Sequence, residues 1–244
     1  MKNYKITVQY DGTKYNGWQK QGNTKNTIQE RFENVLSRMC NHTVEIFASG
    51  RTDAGVHAES QTANFKCNTN LSCEEIMDYL NAYLPEDIRV TSVVEADDRF
   101  HSRLNAVSKT YEYKISVKKP DVFMRKYVFT TDKTPDVERM RSAARLLLGS
   151  HDFKGFSSLG KTKKSTVRVI NSLEIICDCD IIIVRVNGNG FLYNMVRIIA
   201  GTLLEIGCGN MDESVMQKVF EEKIREYAGP TLPACGLKLV EVFY

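Results

Sequence analysis

Three side chains that can take part in ionic or acid–base chemistry lie close together in residues 48–58, namely Arg51, Asp53 and His57. Their neighbours are mostly glycine, alanine and other small residues, which let a large planar ligand approach the backbone. This setting makes Asp53 a candidate catalytic carboxylate. The alternative is a surface turn, because Asp and Gly are common turn residues and a nearby Arg can form a solvated ion pair.

The segments on either side of this stretch have the alternating pattern of β-strands. Residues 43–47 precede it and residues 61–65 follow it, and both are rich in β-branched or aromatic side chains. The stretch is therefore predicted to be a loop of about ten residues between two strands, whereas hairpin loops usually have about two to five. The extra length and the charged side chains are compatible with a functional loop, and the spacing alone leaves the surface-turn alternative open.

The remaining first half has signals for two more strands and two helices. Residues 2–10 alternate as a strand, and residues 87–96 form another. Thr27 and Ser72 each begin a capping-box pattern before an apolar helical stripe, and Pro85 ends the second helix. The predicted order is β-α-β-β-α-β.

The second half repeats this mixture of strands and helices. Pro135 and Asp136 begin a helix that Gly149 ends. Strands are predicted at residues 109–117, 126–131, 167–177, 181–187 and 237–243, a turn at 119–121, and further helices at 191–206 and 212–224. The fold class is therefore α+β, with two similar layered halves whose largely antiparallel sheets carry helices on one face, the catalytic cleft lying between the halves. The predicted domains are residues 1–104 and 105–244.

Charge is distributed unevenly although the net charge is only +3. Residues 99–133 hold nine Lys or Arg against three acids, residues 154–168 hold five against none, and residues 59–98 hold nine acids against two bases. Aromatic side chains are interleaved with bases in residues 10–20 and 99–103. Proteins that hold looped RNA typically use Lys and Arg side chains to neutralise phosphates and aromatic rings to stack on unpaired nucleobases.

Other ligands and locations are disfavoured. The seven cysteines contain no C-x-x-C pair, and the four histidines lack metal-ligand spacing, so neither a disulfide framework nor a metal site is predicted. No signal-peptide run and no apolar stretch of about 18 residues is present, which predicts a protein of the reducing cytoplasm without a membrane partner.

Seven segments together resemble the TruA family of tRNA pseudouridine synthases. They follow the family's order along the whole chain, and the loop around Asp53 is the most specific of them. The matching segments are residues 10–19, 51–58, 100–103, 109–113, 151–153, 191–197 and, near the end, 228–231 with 236–239.

The resemblance implies a role for each matching residue. Asp53 is the catalytic aspartate, Tyr111 the ring that stacks on the target base, and Arg197 the partner of the aspartate. Arg51 matches an arginine used in RNA handling and base flipping, and Leu237 an apolar contact near the base. The matching RNA-binding element contributes Phe100, His101 and Arg103. The chain departs from the family's pattern at Leu104, where an aromatic is usual, and at Leu232, where alanine is common.

The implied reaction converts uridine to pseudouridine in the anticodon stem-loop of tRNA, at positions 38 to 40, by a homodimer that needs no cofactor. Asp53 then acts either as a nucleophile or as a base on the ribose, and the sequence leaves both routes open. Two alternatives also remain open: a paralogue that acts on another RNA site, and a non-catalytic protein that binds or folds RNA.

Overall fold

The computed structural model describes residues 1–120, 122–160 and 163–244, and the chain divides into two compact units. Unit 1 comprises Met1–Val107 with Lys238–Tyr244, and unit 2 comprises Ser108–Leu237. Asp121 of the predicted turn and Lys161 of the basic segment lie outside the described residues. The division into domains at residues 104 and 105 stays a prediction.

Unit 1 is built on a twisted set of mostly antiparallel strands. Its strands are β1 (Lys2–Tyr10), β2 (Ile46–Ala48), β3 (His57–Cys67), β4 (Ile88–Ala96) and β10 (Leu237–Phe243). Their order is β4-β1-β3-β10, with β2 beside β3; the β3–β10 pair is parallel and the others are antiparallel. Alternate β1 side chains, including Ile6 and Val8, are fully buried, which is the alternation that the sequence predicted.

Two capped helices complete unit 1. Helix α1 (Ile28–Cys40) begins at Thr27, whose side chain accepts a hydrogen bond from the Glu30 amide, and α2 (Cys73–Tyr83) begins at Ser72. At Ser72 both bonds of the predicted capping box are present. The helices bury an apolar stripe each, led by Phe32 and Leu36 in α1 and by Ile76 and Leu80 in α2.

The described residues of unit 2 form five strands in addition to Leu237, the first residue of β10. They are β5 (Ser108–Ser116), β6 (Phe129–Thr130), β7 (Gly149–Asp152), β8 (Val167–Asp178) and β9 (Ile181–Gly188). Antiparallel pairs join them in the order β5-β9-β8-β7, and β6 lies parallel to β5. The sequence missed β7, because a strand of four residues that begins at a glycine has no alternating apolar signal.

The described residues of unit 2 also form three α-helices. They are α3 (Val137–Arg145), α4 (Met195–Gly207) and α5 (Val215–Glu222). Asp136 caps α3 through the amides of Glu138 and Arg139. Helix α4 is apolar on nearly every side and is mostly buried.

The predicted start of α4 at residue 191 is wrong, since residues 191–194 form a turn. The turn places Asn194 in the left-handed backbone region, with φ 61°, and a residue in that conformation interrupts an α-helix. Arg197 is consequently the third residue of α4 instead of the seventh.

The predicted α+β class with largely antiparallel sheets is confirmed. No helix among the described residues is long and apolar enough to cross a membrane.

Candidate active site

Residues 49–56 form the loop between β2 and β3, and hydrogen bonds fix its first residues. The Ser49 amide donates to the Thr62 carbonyl over 2.8 Å, and its hydroxyl bonds the Gln61 side chain over 2.6 Å. The Gln61 amide group also donates to the Gly50 carbonyl at 2.9 Å. Ser49 and Gln61 are fully buried, so this end of the loop is held firmly.

A second set of contacts holds the centre of the loop against residues 10–18. The Tyr10 hydroxyl lies 2.8 Å from the Thr52 hydroxyl, and burial raises the pKa of Tyr10 well above its usual value, so the phenol stays protonated. The Trp18 amide donates to the Thr52 carbonyl at 3.0 Å, and the Gly55 amide donates to the Tyr15 carbonyl at 3.3 Å. Backbone hydrogen bonds therefore hold the loop on both sides of Asp53, at Thr52 and at Gly55.

Two glycines of the same segment permit this close approach. A Cβ at Gly17 would lie 2.6 Å from the Thr52 carbonyl oxygen and 3.1 Å from the Asp53 carbonyl carbon, and Gly17 has φ +85°. A Cβ at Gly12 would lie 2.0 Å from the Val56 carbonyl oxygen. Only glycine fits at either position without displacing the loop.

Asp53 itself is half-buried at the turn of the loop. Its carbonyl accepts a hydrogen bond from the Val56 amide at 3.1 Å, and Gly55, with φ +79°, completes the turn. Arg51 is exposed two residues earlier. The hydrogen-bonded loop thus carries a half-buried carboxylate at Asp53 and an exposed arginine two residues earlier.

His57, the third side chain of the predicted set, is placed in the core. It is 6% exposed, and its Nδ1 accepts a hydrogen bond from the Gly12 amide at 3.1 Å and lies 3.1 Å from an Asp11 carboxylate oxygen. His57 therefore joins residues 11–12 to the start of β3.

Arg197 is held by two carbonyl-type oxygens near the start of α4. Its Nε donates to the Leu232 carbonyl over 2.7 Å, and one terminal nitrogen donates to Asn194 Oδ1 over 2.8 Å. The side chain is half-buried. A cation in the first turn of a helix faces the positive end of the helix dipole, so its place is unfavourable for the helix alone.

The segment that supplies the Leu232 carbonyl packs tightly along α4. The Gly229 amide donates to the buried Thr202 hydroxyl at 2.9 Å. A Cβ at Gly201 would lie 2.0 Å from the Pro230 carbonyl oxygen, and one at Gly229 would lie 2.6 Å from the Thr202 Cα. These two glycines explain why the Ala-Gly-Pro-Thr segment and α4 can touch backbone to backbone.

Tyr111 and Leu237 are both largely buried. Tyr111 lies on β5, 8% exposed, with its ring edge-on to Phe191 at a centroid distance of 5.1 Å and an angle of 78°. Leu237 is 6% exposed and follows a short 3₁₀ turn over Ala234–Gly236. Their predicted contacts with a base stay predictions.

The Phe-His-x-Arg element forms an aromatic and cationic cluster in unit 1. The Phe100 ring lies 5.1 Å from that of Tyr244, and Lys5 Nζ lies 4.3 Å from the centre of the Tyr244 ring. The His101 ring contacts Phe47 at 5.3 Å, and Arg103 is exposed. The aromatic rings and the cation are compatible with RNA, but this role too stays a prediction.

The two positions that depart from the family's pattern have opposite environments. Leu104 is 78% exposed, so its side chain is available to a partner. Leu232 is 4% exposed, and its backbone carbonyl accepts a hydrogen bond from Arg197.

Sequence reasoning missed Tyr10 as a support for the loop and Asn194 as a contact of Arg197. Asn194 carried only the general signal of a helix start, because Asn is common directly before a helix, and this signal does not indicate a contact with Arg197. Within the described residues, no group of three or more His, Cys, Asp or Glu side chains is arranged to hold a metal ion.

Comparison with known proteins agrees with the TruA resemblance. The family model described as tRNA pseudouridine synthase matches residues 6–105 and 143–244. The chain is 46% identical over 243 residues to tRNA pseudouridine synthase A 2 of Bacillus cereus (strain ZK / E33L), covering 99% of each chain. It is 48% identical over 230 residues to tRNA pseudouridine synthase A of Bacillus sp. (strain KSM-64), covering 94% of each.

Among solved structures, a chain titled "Crystal Structure of a Cbf5-Nop10-Gar1 Complex" aligns with a TM-score of 0.42 and 10% identity. The alignment covers 97% of this chain and 48% of that one, so the chain spans about half the length of that solved protein.

The family model matches well over half of the chain, and the curated relatives align along nearly all of it. The chain therefore belongs to the tRNA pseudouridine synthase family and is an isomerase of the TruA type.

Proposed function

We propose that this protein isomerises uridine to pseudouridine in the anticodon stem-loop of tRNA, at positions 38 to 40, with Asp53 as its catalytic residue. The observation that carries this proposal is the support of the Asp53 loop. Buried hydrogen bonds from Ser49 and Tyr10 and the close approach of Gly17 hold a half-buried carboxylate in one place. A catalytic carboxylate must meet the reacting atom at a fixed position, and a loop held in this way keeps the carboxylate in place.

The reaction needs only one such carboxylate and no cofactor. The bond between N1 of uracil and C1′ of ribose breaks, the base turns, and C5 bonds to C1′ while C5 releases its proton and N1 gains one. No electrons are exchanged with another molecule. Asp53 serves either as the nucleophile that holds the sugar or base between these steps, or as the base that removes a ribose proton.

Arg197 and Tyr111 are the proposed partners of Asp53. A guanidinium close to the carboxylate favours its ionised form and orients it through two hydrogen bonds. The target nucleotide must leave the RNA stack, which costs a few kcal/mol, and a ring such as that of Tyr111 offsets part of the cost by stacking on the uracil.

The proposed contacts with tRNA come from exposed basic groups and half-buried aromatic ones. Arg51, exposed and two residues before Asp53, can assist extrusion of the base. Phe100 and His101 are half-buried in the ring contacts described above, and Arg103 is exposed nearby in the chain. Lys163 and Lys164 are exposed and can neutralise phosphates. We further propose a cytoplasmic homodimer, as the resemblance implies, with Leu237 near the bound base.

Pseudouridine mapping tests the target. Total tRNA from cells with and without this protein should differ in pseudouridine at positions 38 to 40. Purified protein should release tritium from a tRNA transcript that contains 5-tritiated uridine, and a matched transcript with cytidine at these three positions should release none. Release from the cytidine transcript would indicate another RNA site, and release from neither would favour a protein that only binds RNA.

A further inference from the structure

The Asn194 side chain makes contacts that a helix cap does not require. An Asn at this position ordinarily accepts a hydrogen bond from an amide of the first helical turn. Within the described part of the chain, Asn194 makes no such side-chain bond to α4. Its Oδ1 instead accepts from Arg197 at 2.8 Å, and its Nδ2 donates to the Ser158 hydroxyl at 3.0 Å.

The Asn194 backbone is also held in an uncommon conformation. Its φ of 61° and ψ of 4° lie in the left-handed region, which costs most side chains energy but which Asn tolerates. The Ser158 backbone amide donates to the Tyr193 carbonyl at 3.1 Å. This bond connects the backbone at Ser158 to the turn before α4. Hydrogen bonds thus hold both the Oδ1 and the Nδ2 atom of the Asn194 side chain, and the turn that carries it is held by the Ser158 amide.

The result is a two-sided clamp on the Arg197 guanidinium. The Leu232 carbonyl holds Nε at 2.7 Å, and Asn194 holds one terminal nitrogen. A long side chain with several rotatable bonds loses most of its rotational freedom when two of its donors are fixed in this way.

We propose that Asn194 is a positioning residue for the reaction, which aims Arg197 by accepting its hydrogen bond while Ser158 holds the Asn194 amide. This inference rests on the proposed role of Arg197. Asn194 does not itself touch the substrate in this proposal; it acts through the guanidinium.

Asn194→Gly is the informative variant, because glycine adopts the left-handed conformation without strain and only the side chain is lost. Asn41 provides a matched control. It is an exposed asparagine with φ 54° after α1, so Asn41→Gly makes the same change in the same backbone conformation in unit 1.

Single-turnover tritium release and tRNA affinity are measured for both variants. We expect Asn194→Gly to lower the rate about tenfold or more, with a Kd for tRNA within about threefold of wild type, because misplacing a catalytic group slows the chemical step. Asn41→Gly should retain the wild-type rate. An Asn194→Gly protein that is folded and as fast as Asn41→Gly would overturn the proposal.

A double variant separates positioning from a general structural effect. If Asn194 acts through Arg197, then Asn194→Gly should cause no further loss of rate in an Arg197→Met protein, whereas independent effects would multiply. Full multiplication overturns the proposal. An Arg197→Met protein with the wild-type rate would instead contradict the proposed role of Arg197, so the two failures are distinguishable.

Ser158→Ala keeps the test usable if Asn194→Gly does not fold. It removes the hydroxyl that accepts from Asn194 Nδ2 and leaves the Ser158 backbone bond in place. We expect a several-fold loss of rate that disappears in the Arg197→Met background, and a persistent loss there would overturn the proposal.

Discussion

Gly17→Ala should slow the reaction although residue 17 carries no reactive group. The added methyl would lie 2.6 Å from the Thr52 carbonyl oxygen and 3.2 Å from the Ala54 amide nitrogen. Ordinary contact begins at 3.4 Å, so relief of the first contact requires a movement of 0.8 Å. The atoms that must move are backbone atoms on both sides of Asp53.

The expected size of the effect follows from that displacement. A catalytic group misplaced by about 1 Å can lose about 100-fold in rate. The left-handed φ of +85° adds a cost of about 1–2 kcal/mol to the folded state for alanine. We therefore expect a single-turnover rate about 100-fold below wild type, with a modest fall in Tm and nearly unchanged affinity for tRNA.

Gly149→Ala separates backbone strain from displacement of the loop. Gly149 has φ +90°, and among the described residues the only atom within 4 Å of an added Cβ is a His151 side-chain nitrogen at 3.9 Å. This variant should lose similar stability but keep the wild-type rate. If Gly17→Ala is folded and turns over within twofold of Gly149→Ala, the loop does not position the catalytic group, and the reasoning is wrong.

Three further predictions concern charge. Arg197→Met should lower the single-turnover rate at neutral pH and move the acid limb of its pH profile upward by about one to three units, because loss of a nearby cation raises the pKa of Asp53; an unshifted limb would remove Arg197 from the site. Replacing Lys163 and Lys164 with Ala should reduce the log–log salt slope of tRNA binding by about 0.7 to 0.9 per lost phosphate contact, and an unchanged slope in a filter-binding titration would show that the two are merely solvated. Burial tends to raise the pKa of Asp152, but hydrogen bonds from Thr166, Lys223 and the Lys154 amide outweigh it and lower that pKa. A lowered folded-state pKa stabilises the protein above the unfolded pKa of about 3.9, so Asp152→Asn should cost about 1–2 kcal/mol in urea unfolding at pH 7. The difference should shrink as the pH falls from the unfolded pKa through the lowered folded-state pKa of Asp152.

Most elements of the fold could be predicted from the sequence because their signals are local. The β1 alternation and the Ser72 capping box specify a strand and a helix start without reference to distant residues, and both are present. The start of α4 was misplaced because its apolar pattern continues back through the turn at 191–194, and the left-handed Asn194 that breaks the helix is held by Ser158, 36 residues away in sequence.

The candidate site was predictable in part for the same reason. The Asp53 loop is marked by its own composition, but its support is not. Tyr10 and Trp18 reach Thr52 from residues more than 30 positions earlier. Their segment was noted for aromatics that could stack on RNA, but both rings are buried, at 5% and 2% exposure, and support the loop instead. His57 shows the converse: its residue type suits chemistry, yet the fold uses it as a buried hydrogen-bond acceptor for Gly12.

Single-turnover tritium release by Asp53→Asn tests the central claim most directly, because asparagine keeps the shape of the side chain and removes its charge. The assay uses excess protein over tRNA that carries 5-tritiated uridine, with Asp78→Asn on the exposed side of α2 as a folded control that has lost the same charge. We expect the control to match wild type, and Asp53→Asn to bind tRNA with unchanged affinity and release no tritium above background. Release by Asp53→Asn faster than about a tenth of the wild-type rate would contradict the assignment of Asp53 as the catalytic residue.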